Sequence, residues 1–300
     1  MRLALSQWGD ARITLALDTT RLFHSWCLIC VSLTYRGRVI PLAWRLLRHS
    51  SSTVGIKDIR PVLVSVHSLL SHLPQIEEVY IGADRGFMDR ELMRVFIAYG
   101  WQWNIRGKGQ VYVYDTQGKA LGQIRQQLSQ HGTPVFLKDV YLTRARFGPV
   151  HLAAIHPPGA REPWFIVSGQ PCGPQTFDEY AGRFQIEEGF LDLKSGGFQL
   201  EDTHLRHTAG LEGLIFVLAL TSVFLFSEGT QVVEEGQRTS VDPHHQRGLS
   251  DFQIGWRAIR QRLSRRIPFL QRLRLSPAPD PEPSRHPRAP PVQHADSPLS

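Results

Sequence analysis

The sequence predicts an α/β protein: a mixed sheet flanked by helices, with a β-rich insertion before the helix that carries residues 180–194. Three observations predict it. Apolar, β-branched runs open the chain and stand close together between residues 13 and 45. Helical patterns then alternate with single strands as far as residue 106. From 109 to 170 the sequence changes to short β-rich runs split by glycine, proline and polar turns.

The elements follow in order. Strands are expected near 13–20, 25–35 and 38–45, a helix near 59–72, and a strand near 78–84. Runs as apolar as Ile13–Leu17 and Val79–Ala83 fit central strands covered on both faces. Met88 to Tyr99 reads as a helix closed by Gly100, and Trp101 to Arg106 as a fifth strand. Within the insertion, Val111–Tyr114, Val135–Leu137, Val150–Ile155 and Trp164–Val167 are the strand candidates. A helix carrying 180–194 follows, then a turn at Gly196-Gly197 and a helix over 209–227. Residues 228–249 read as a linker. Phe252 to Leu275 is helical in part and carries seven arginines between Arg257 and Arg274. Ser276 to Ser300 is Pro-rich and poor in hydrophobic residues, so disorder is expected. The expected parts are therefore 1–108 and 171–230 as two halves of a core, 109–170 as the insertion, 231–275 as linker and Arg-rich segment, and 276–300 as the tail.

A chain of 300 residues has ample material for a core, and its net charge of +7 suits a polyanionic partner. Three cysteines, an odd number, argue against a disulfide framework. Cys27 and Cys30 form a C-x2-C pair inside an apolar strand candidate with no second pair to match, so core thiols are the stronger expectation over a metal site. The start shows no apolar signal region. Leu214 to Phe226 is apolar but, at 13 residues, too short to cross a bilayer. A cytoplasmic location and no membrane partner are the expectation.

The most informative stretch is Tyr180-Ala-Gly-Arg183-Phe-Gln-Ile-Glu187 through Lys194. On a helix turning about 100° per residue, Tyr180, Arg183, Glu187 and Lys194 fall within roughly 60° of one another. Three phosphate-favouring groups then flank a single carboxylate, while Glu188 points about 100° away. A solvated amphipathic face is the plainer reading of such charges.

Two further acids raise the value of that carboxylate. Ile13–Asp18 and Val79–Asp84 are each an apolar run ending in an acid, at a strand end where α/β sheets commonly bind ligands. Singly, each Asp also fits a turn or a helix cap. Together, Asp18, Asp84 and Glu187 offer three carboxylates on three elements, the oxygen donors that Mg²⁺ or Mn²⁺ takes. Two such ions about 4 Å apart can activate a water or a 3′-hydroxyl against a phosphodiester. Arg106 and Lys108, at the end of the fifth strand beside Gly107 and Gly109, could also reach phosphate; a solvated turn is the alternative.

Here the chain resembles the DDE transposases of bacterial insertion sequences, in the insertion-sequence-four branch with its Y-x2-R-x3-E-x6-K signature. Tyr180, Arg183, Glu187 and Lys194 match that signature at every spacing. Leu17-Asp18-Thr19-Thr20 resembles the first-aspartate motif, and Asp84-Arg85-Gly86-Phe87 the D-x-G-F second motif. The resemblance implies an RNase H-like fold, which the order of three strands, helix, strand, helix, strand also suits. It implies catalytic Mg²⁺ held by Asp18, Asp84 and Glu187, with Tyr180, Arg183 and Lys194 on the phosphates of the transposon end. It implies double-stranded DNA as partner, both transposon ends and target, a homodimer in a synaptic complex, and a nucleoid-associated location. In such enzymes an aromatic residue of the insertion can hold a flipped base, for which Trp164 is the candidate against the stronger expectation of core packing. The family also carries an N-terminal DNA-binding domain, for which Asp18 stands too close to Met1. The expected function is therefore an Mg-dependent transposase core, hydrolysing at element ends and transferring strands. The alternatives are an inactive remnant binding DNA or full-length transposase, and a two-metal nuclease that never joins strands.

Overall fold

The structure is a computed structural model that describes residues 1–6, 8–129, 132–157, 160–269 and 273–283. A short helical turn, α1 (Arg2–Leu5), precedes three strands, β1 (Arg12–Leu22), β2 (Trp26–Tyr35) and β3 (Arg38–Leu47). Helix α2 (Ile56–Leu70), strand β4 (Glu78–Ala83), helix α3 (Arg90–Ala98) and strand β5 (Gln102–Arg106) follow. Five more strands come next: β6 (Tyr112–Tyr114), β7 (Ala120–Gln123), β8 (Val135–Leu142), β9 (Phe147–Ile155) and β10 (Trp164–Ser168). The chain ends in α4 (Gln175–Ala181), α5 (Gln185–Leu191), α6 (Thr208–Glu234) and α7 (Asp251–Ser264). The result is a mixed α/β protein.

The residues group into two compact units, and β1 contributes to both. The first holds Met1–Ile13, Asp18–Glu77 and residues 185–283; the second holds Thr14–Leu17 and Glu78–Phe184.

In the first unit the strands run in the order β3-β2-β1. β2 and β3 form an antiparallel hairpin in register from Cys27 opposite Leu47 to Tyr35 opposite Arg38. Nine of the ten β2 residues are buried, so neither face is wet, which its unbroken apolar sequence requires. Cys27 and Cys30 lie in that core, and burial pushes their thiols up to about 11 and about 12. Pro41 is accommodated because β3 is an end strand. α2, α5 and α6 pack on this hairpin. α2 does so through Ile59, Val62, Leu63, Val66 and Leu70, an apolar stripe at helical spacing.

α6 exceeds its expected bounds. It runs on to Glu234, through residues expected to form a linker, and reaches 27 residues. By length and composition alone it could cross a membrane, though 39% of its most apolar window is buried inside the protein. The extension is held by polar contacts that an apolar count ignores. Thr230 Oγ1 shares a 2.8 Å hydrogen bond with the Tyr35 hydroxyl, Glu234 pairs with Arg36 at 2.6 Å, and buried Glu228 pairs with Arg262. α7 crosses α6 at backbone contact. A Cβ on Gly229 would stand 1.9 Å from the Asp251 carbonyl oxygen, and one on Gly255 1.9 Å from that of Leu225. Only glycine permits this approach.

Residues 273–283 are placed, including the first eight of the segment expected to be disordered. Leu275 is fully buried, the Ser276 N–H donates to the Tyr35 hydroxyl at 3.1 Å, and Asp280 accepts from Arg247 at 2.6 Å. Its acids find buried arginines, which composition alone does not disclose. Residues 284–300 of that expectation lie outside the described residues.

In the second unit, Thr14–Leu17 of β1 begins a sheet that continues β4, β5, β10, β9, β8, β6, β7. β4 and β5 are parallel; β5–β10 and every later pairing are antiparallel, so the sheet is mixed. β10 joins β5 directly, with Ile166 opposite Arg106. The strand β7 escapes sequence reading because Ala-Leu-Gly-Gln has neither β-branched nor aromatic residues. α3 starts on Asp89, whose carboxylate accepts from Leu92 N–H at 3.0 Å, and ends in Gly100 at φ +69°, where a left-handed residue closes the helix.

Candidate active site

Asp18 does not end its strand. It lies inside β1, which runs four residues further, because Thr19 to Leu22 continue the β-rich pattern past the acid. It is half-buried, and its Oδ1 accepts the neighbouring Thr19 N–H at 2.7 Å. Asp84 directly follows β4 and opens a 3₁₀ turn, Arg85–Phe87. Its carbonyl accepts Phe87 N–H at 2.9 Å, but its carboxylate makes no capping bond, so a helix cap does not explain the residue. Glu187 sits half-buried in the first turn of α5.

The helix expected to carry 180–194 as one straight rod is in four pieces. α4 ends at Ala181, a 3₁₀ turn covers Gly182–Phe184, α5 covers Gln185–Leu191, and a π-helical turn covers Asp192–Gly196. Glycines at 182 and 196 weaken the helix at the joints, and a 3₁₀ turn advances about 120° per residue, so the uniform 100° step behind the polar stripe does not hold.

Within the second unit, Tyr180 is fully buried, ring-to-ring with Trp164 at 5.7 Å and Phe184 at 5.9 Å. It is therefore not a solvent-facing phosphate contact here; its ring stabilises the core more than exposure would. Trp164, 3% exposed, is core, as its strand neighbours suggested. Arg183 is also buried, with its guanidinium 4.5 Å from the Phe184 ring. Its stem crosses Gly82 of β4, where a Cβ would meet Arg183 Cβ at 3.3 Å. Arg106, at the end of β5, is 4% exposed and donates to Glu162 at 3.3 Å. Half-buried Lys108 donates its N–H to Met88 Sδ at 3.2 Å.

Sequence reasoning missed Glu162. It accepts from Arg85 at 2.7 Å as well as from Arg106, and the Arg85 hydrogen bond holds its carboxyl below the usual range. No spacing rule links 85, 106 and 162; only β10 pairing with β5 does.

Within the first unit, Lys194 lies in the π turn and pairs loosely with Glu201 at 3.9 Å. Burial lowers its ammonium, which Glu201 partly offsets. Glu188, the acid that helical phase set aside, pairs with Arg38 at 3.3 Å. Arg38 also holds Asp192 at 3.0 Å. Burial pushes Asp192 up to about 6, against the pull of Arg38. Asp192 lines a cavity of about 30 Å³ with Cys30, Ser32 and Phe252.

Asp18, Glu187 and Lys194 thus belong to the first unit, and Asp84, Tyr180, Arg183, Arg106 and Lys108 to the second. An all-oxygen donor set of two aspartates and a glutamate fits a hard divalent cation in chemistry. Among the described residues, however, no group of three or more His, Cys, Asp or Glu side chains stands together as a ready ligand set.

Among solved structures, the chain is similar to Endonuclease V of Ciona intestinalis in complex with a 24mer DNA containing an inosine followed by a ribo-adenosine. The identity is 13% and the TM-score 0.37, over 66% of this chain and 90% of that one. It is also similar to Marinitoga piezophila Argonaute in complex with 5′ OH guide RNA and target DNA, at 10% identity and a TM-score of 0.28, over 60% of this chain and 26% of that one. Neither overlap is close enough to carry an argument about this chain. No curated protein matches it in sequence. The family model described as Transposase DDE domain matches residues 55–224. That span takes in Asp84-Arg-Gly-Phe and the whole run from Tyr180 to Lys194, and it leaves Asp18 outside. Because the match covers more than half of the sequence, the chain belongs to the transposase DDE domain family.

Proposed function

We propose that this chain is the catalytic core of a DNA transposase of the insertion-sequence-four branch, with an RNase H-like fold. In this reading it hydrolyses the phosphodiester at transposon ends and joins the freed 3′-hydroxyl to target DNA, working as a homodimer that pairs two ends. The observation that carries this reading is the coincidence of the family match with the D-x-G-F and Y-x2-R-x3-E-x6-K motifs at unbroken spacing. Asp18, Asp84 and Glu187 are the proposed holders of Mg²⁺, with Mn²⁺ as substitute. When bound, such an ion supplies charge stabilisation at phosphate and an acidified water. The chain's own residues divide into two roles. Lys108 and Lys194, both half-buried, are the proposed phosphate contacts. Tyr180 and Arg183, proposed with them for the transposon end, are packed in this conformation against Phe184, where they hold the Gly182–Phe184 turn. Arg106 and Arg85, joined through Glu162, fix the strand ends beside Asp84 and Lys108.

The test is nicking of supercoiled plasmid in Mg²⁺ or Mn²⁺ by wild type and Asp84→Asn. Metal-dependent nicking that the variant loses supports the reading. A wild type that leaves plasmid intact in both metals, with a donor end supplied, removes it.

A further inference from the structure

Two sets of arginines in the first unit differ in their partners. Arg36, Arg38, Arg238, Arg247 and Arg262 each pair with an acid. Arg257, Arg260, Arg265 and Arg266, on α7 and just past it, are exposed, and no acid pairs with them among the described residues. Arg257 spends one donor on the Val241 carbonyl at 3.3 Å. The inward arginine of the same helix, Arg262, is neutralised by buried Glu228, so the sorting follows the helix face.

On α7, Arg257 and Arg260 lie within about 120° of exposed Trp256 and Leu263, and exposed Arg265 and Arg266 follow just past the end of the helix. The opposite side, with Phe252, Ile254 and Ala258, is buried. A surface needed only for solubility mixes signs, whereas like charges at i and i+3 repel and weaken the helix. The end of the helix adds a second cost. Arg266 takes φ +56° in a left-handed closing turn, where its N–H bonds Leu263 O at 3.2 Å and Ile267 N–H bonds Arg262 O at 2.9 Å. Glycine is the usual residue at that position. A cation held there against backbone preference, on a helix fixed to α6 through Gly229 and Gly255, is a rigid, preorganised positive face.

We propose that the outward face of α7 and the turn that closes it, through Arg257, Arg260, Arg265 and Arg266 with Trp256 beside them, bind the phosphate backbone of double-stranded DNA without reading sequence. This rests on the transposase reading, and it names a surface outside the residues matched by the family model. From Arg257 to its end at Ser264 the helix advances about 10 Å, the rise of about three base pairs, and Arg265 and Arg266 follow directly, so the four guanidinium groups can span several phosphates. The guanidinium fork suits phosphate better than an ammonium would. Trp256 can rest on the sugar edge.

The experiment measures binding of a random-sequence duplex by fluorescence anisotropy across salt. The proteins are the wild-type chain, Arg257→Gln/Arg260→Gln, the fourfold glutamine variant, and the fourfold lysine variant. The slope of log affinity against log salt should shrink by about 0.9 for each phosphate no longer neutralised, so by about 2 in the double variant and up to about 4 in the fourfold one. The lysine variant should keep most of the slope. The double variant leaves the closing turn intact, and an unchanged urea midpoint certifies its fold. A folded double variant with wild-type slope and affinity overturns the proposal. So does loss of binding to phosphatidylserine vesicles with DNA binding unchanged, which would make the face a membrane reader. Plasmid nicking, measured on wild type alone, fails or succeeds separately from this slope.

Discussion

The α6–α7 crossing gives the sharpest stability prediction. Gly255→Ala places a Cβ 1.9 Å from the Leu225 carbonyl oxygen and 3.0 Å from Gly229 N. Both obstacles are backbone, so no rotamer change can clear them. The helices must separate by roughly 1 Å, loosening Phe252, Ile254 and Ala258 from their core, for which overpacking costs about 1–3 kcal/mol. A rigid backbone obstacle puts the cost near the top of that range. Helix propensity returns about 1 kcal/mol, leaving a net loss of about 2 kcal/mol. Gly213→Ala is the matched control. It lies exposed in α6 with nothing within 4 Å of its Cβ, so it should gain up to about 1 kcal/mol. The twins should differ by about 3 kcal/mol, which urea unfolding reads as a midpoint difference on the order of 1 M. If Gly255→Ala stabilises as much as Gly213→Ala, the helices do not meet at backbone contact.

Two further outcomes follow from buried polar contacts. Tyr35→Phe strips partners from Thr230 Oγ1 and Ser276 N–H, so it should cost about 1–3 kcal/mol and hasten proteolysis within 276–283; unchanged cleavage would show that this segment is not docked on Tyr35. Asp192 is an acid whose folded value of about 6 lies above its ordinary 3.8, so its protonated form is the one the fold favours. Its contribution is complete below about pH 3.8 and is lost as pH rises through about 6, at most about 3 kcal/mol. Asp192→Asn should therefore gain on wild type in urea midpoint between pH 4 and pH 6.5, and a pH-independent difference between the two would contradict the assignment.

Much of the secondary structure was legible because it rests on local pattern. β1 to β5 stand within a few residues of their apolar runs, and Gly100 closes α3 as its chemistry requires. What escaped depends on contacts made at long range. The polar C-terminal turn of α6 is held by Tyr35, Arg36 and Arg262, none of which its own sequence reveals. Residues 276–283 look disordered by composition until Asp280 and Ser276 meet Arg247 and Tyr35. At the candidate site, the spacing of Tyr180, Arg183, Glu187 and Lys194 could be read directly, but helical phase assumed one unbroken helix. Gly182 and the π turn at Asp192 break that assumption, and the aromatic pocket around Trp164 draws Tyr180 inward. Glu162 and Asp192 carried no motif at all.

The most direct test of the central claim compares Glu187→Gln with Glu188→Gln in Mn²⁺-supported nicking of DNA bearing a donor end, beside a binding titration for each. Glu187→Gln keeps size and removes charge, so nicking should fall at least a thousandfold while DNA binding holds or tightens. Glu188 pairs with Arg38, and Asp192 remains on that guanidinium after Glu188→Gln, so that variant should nick within a few-fold of wild type. Nicking that survives Glu187→Gln and dies with Glu188→Gln would contradict the account.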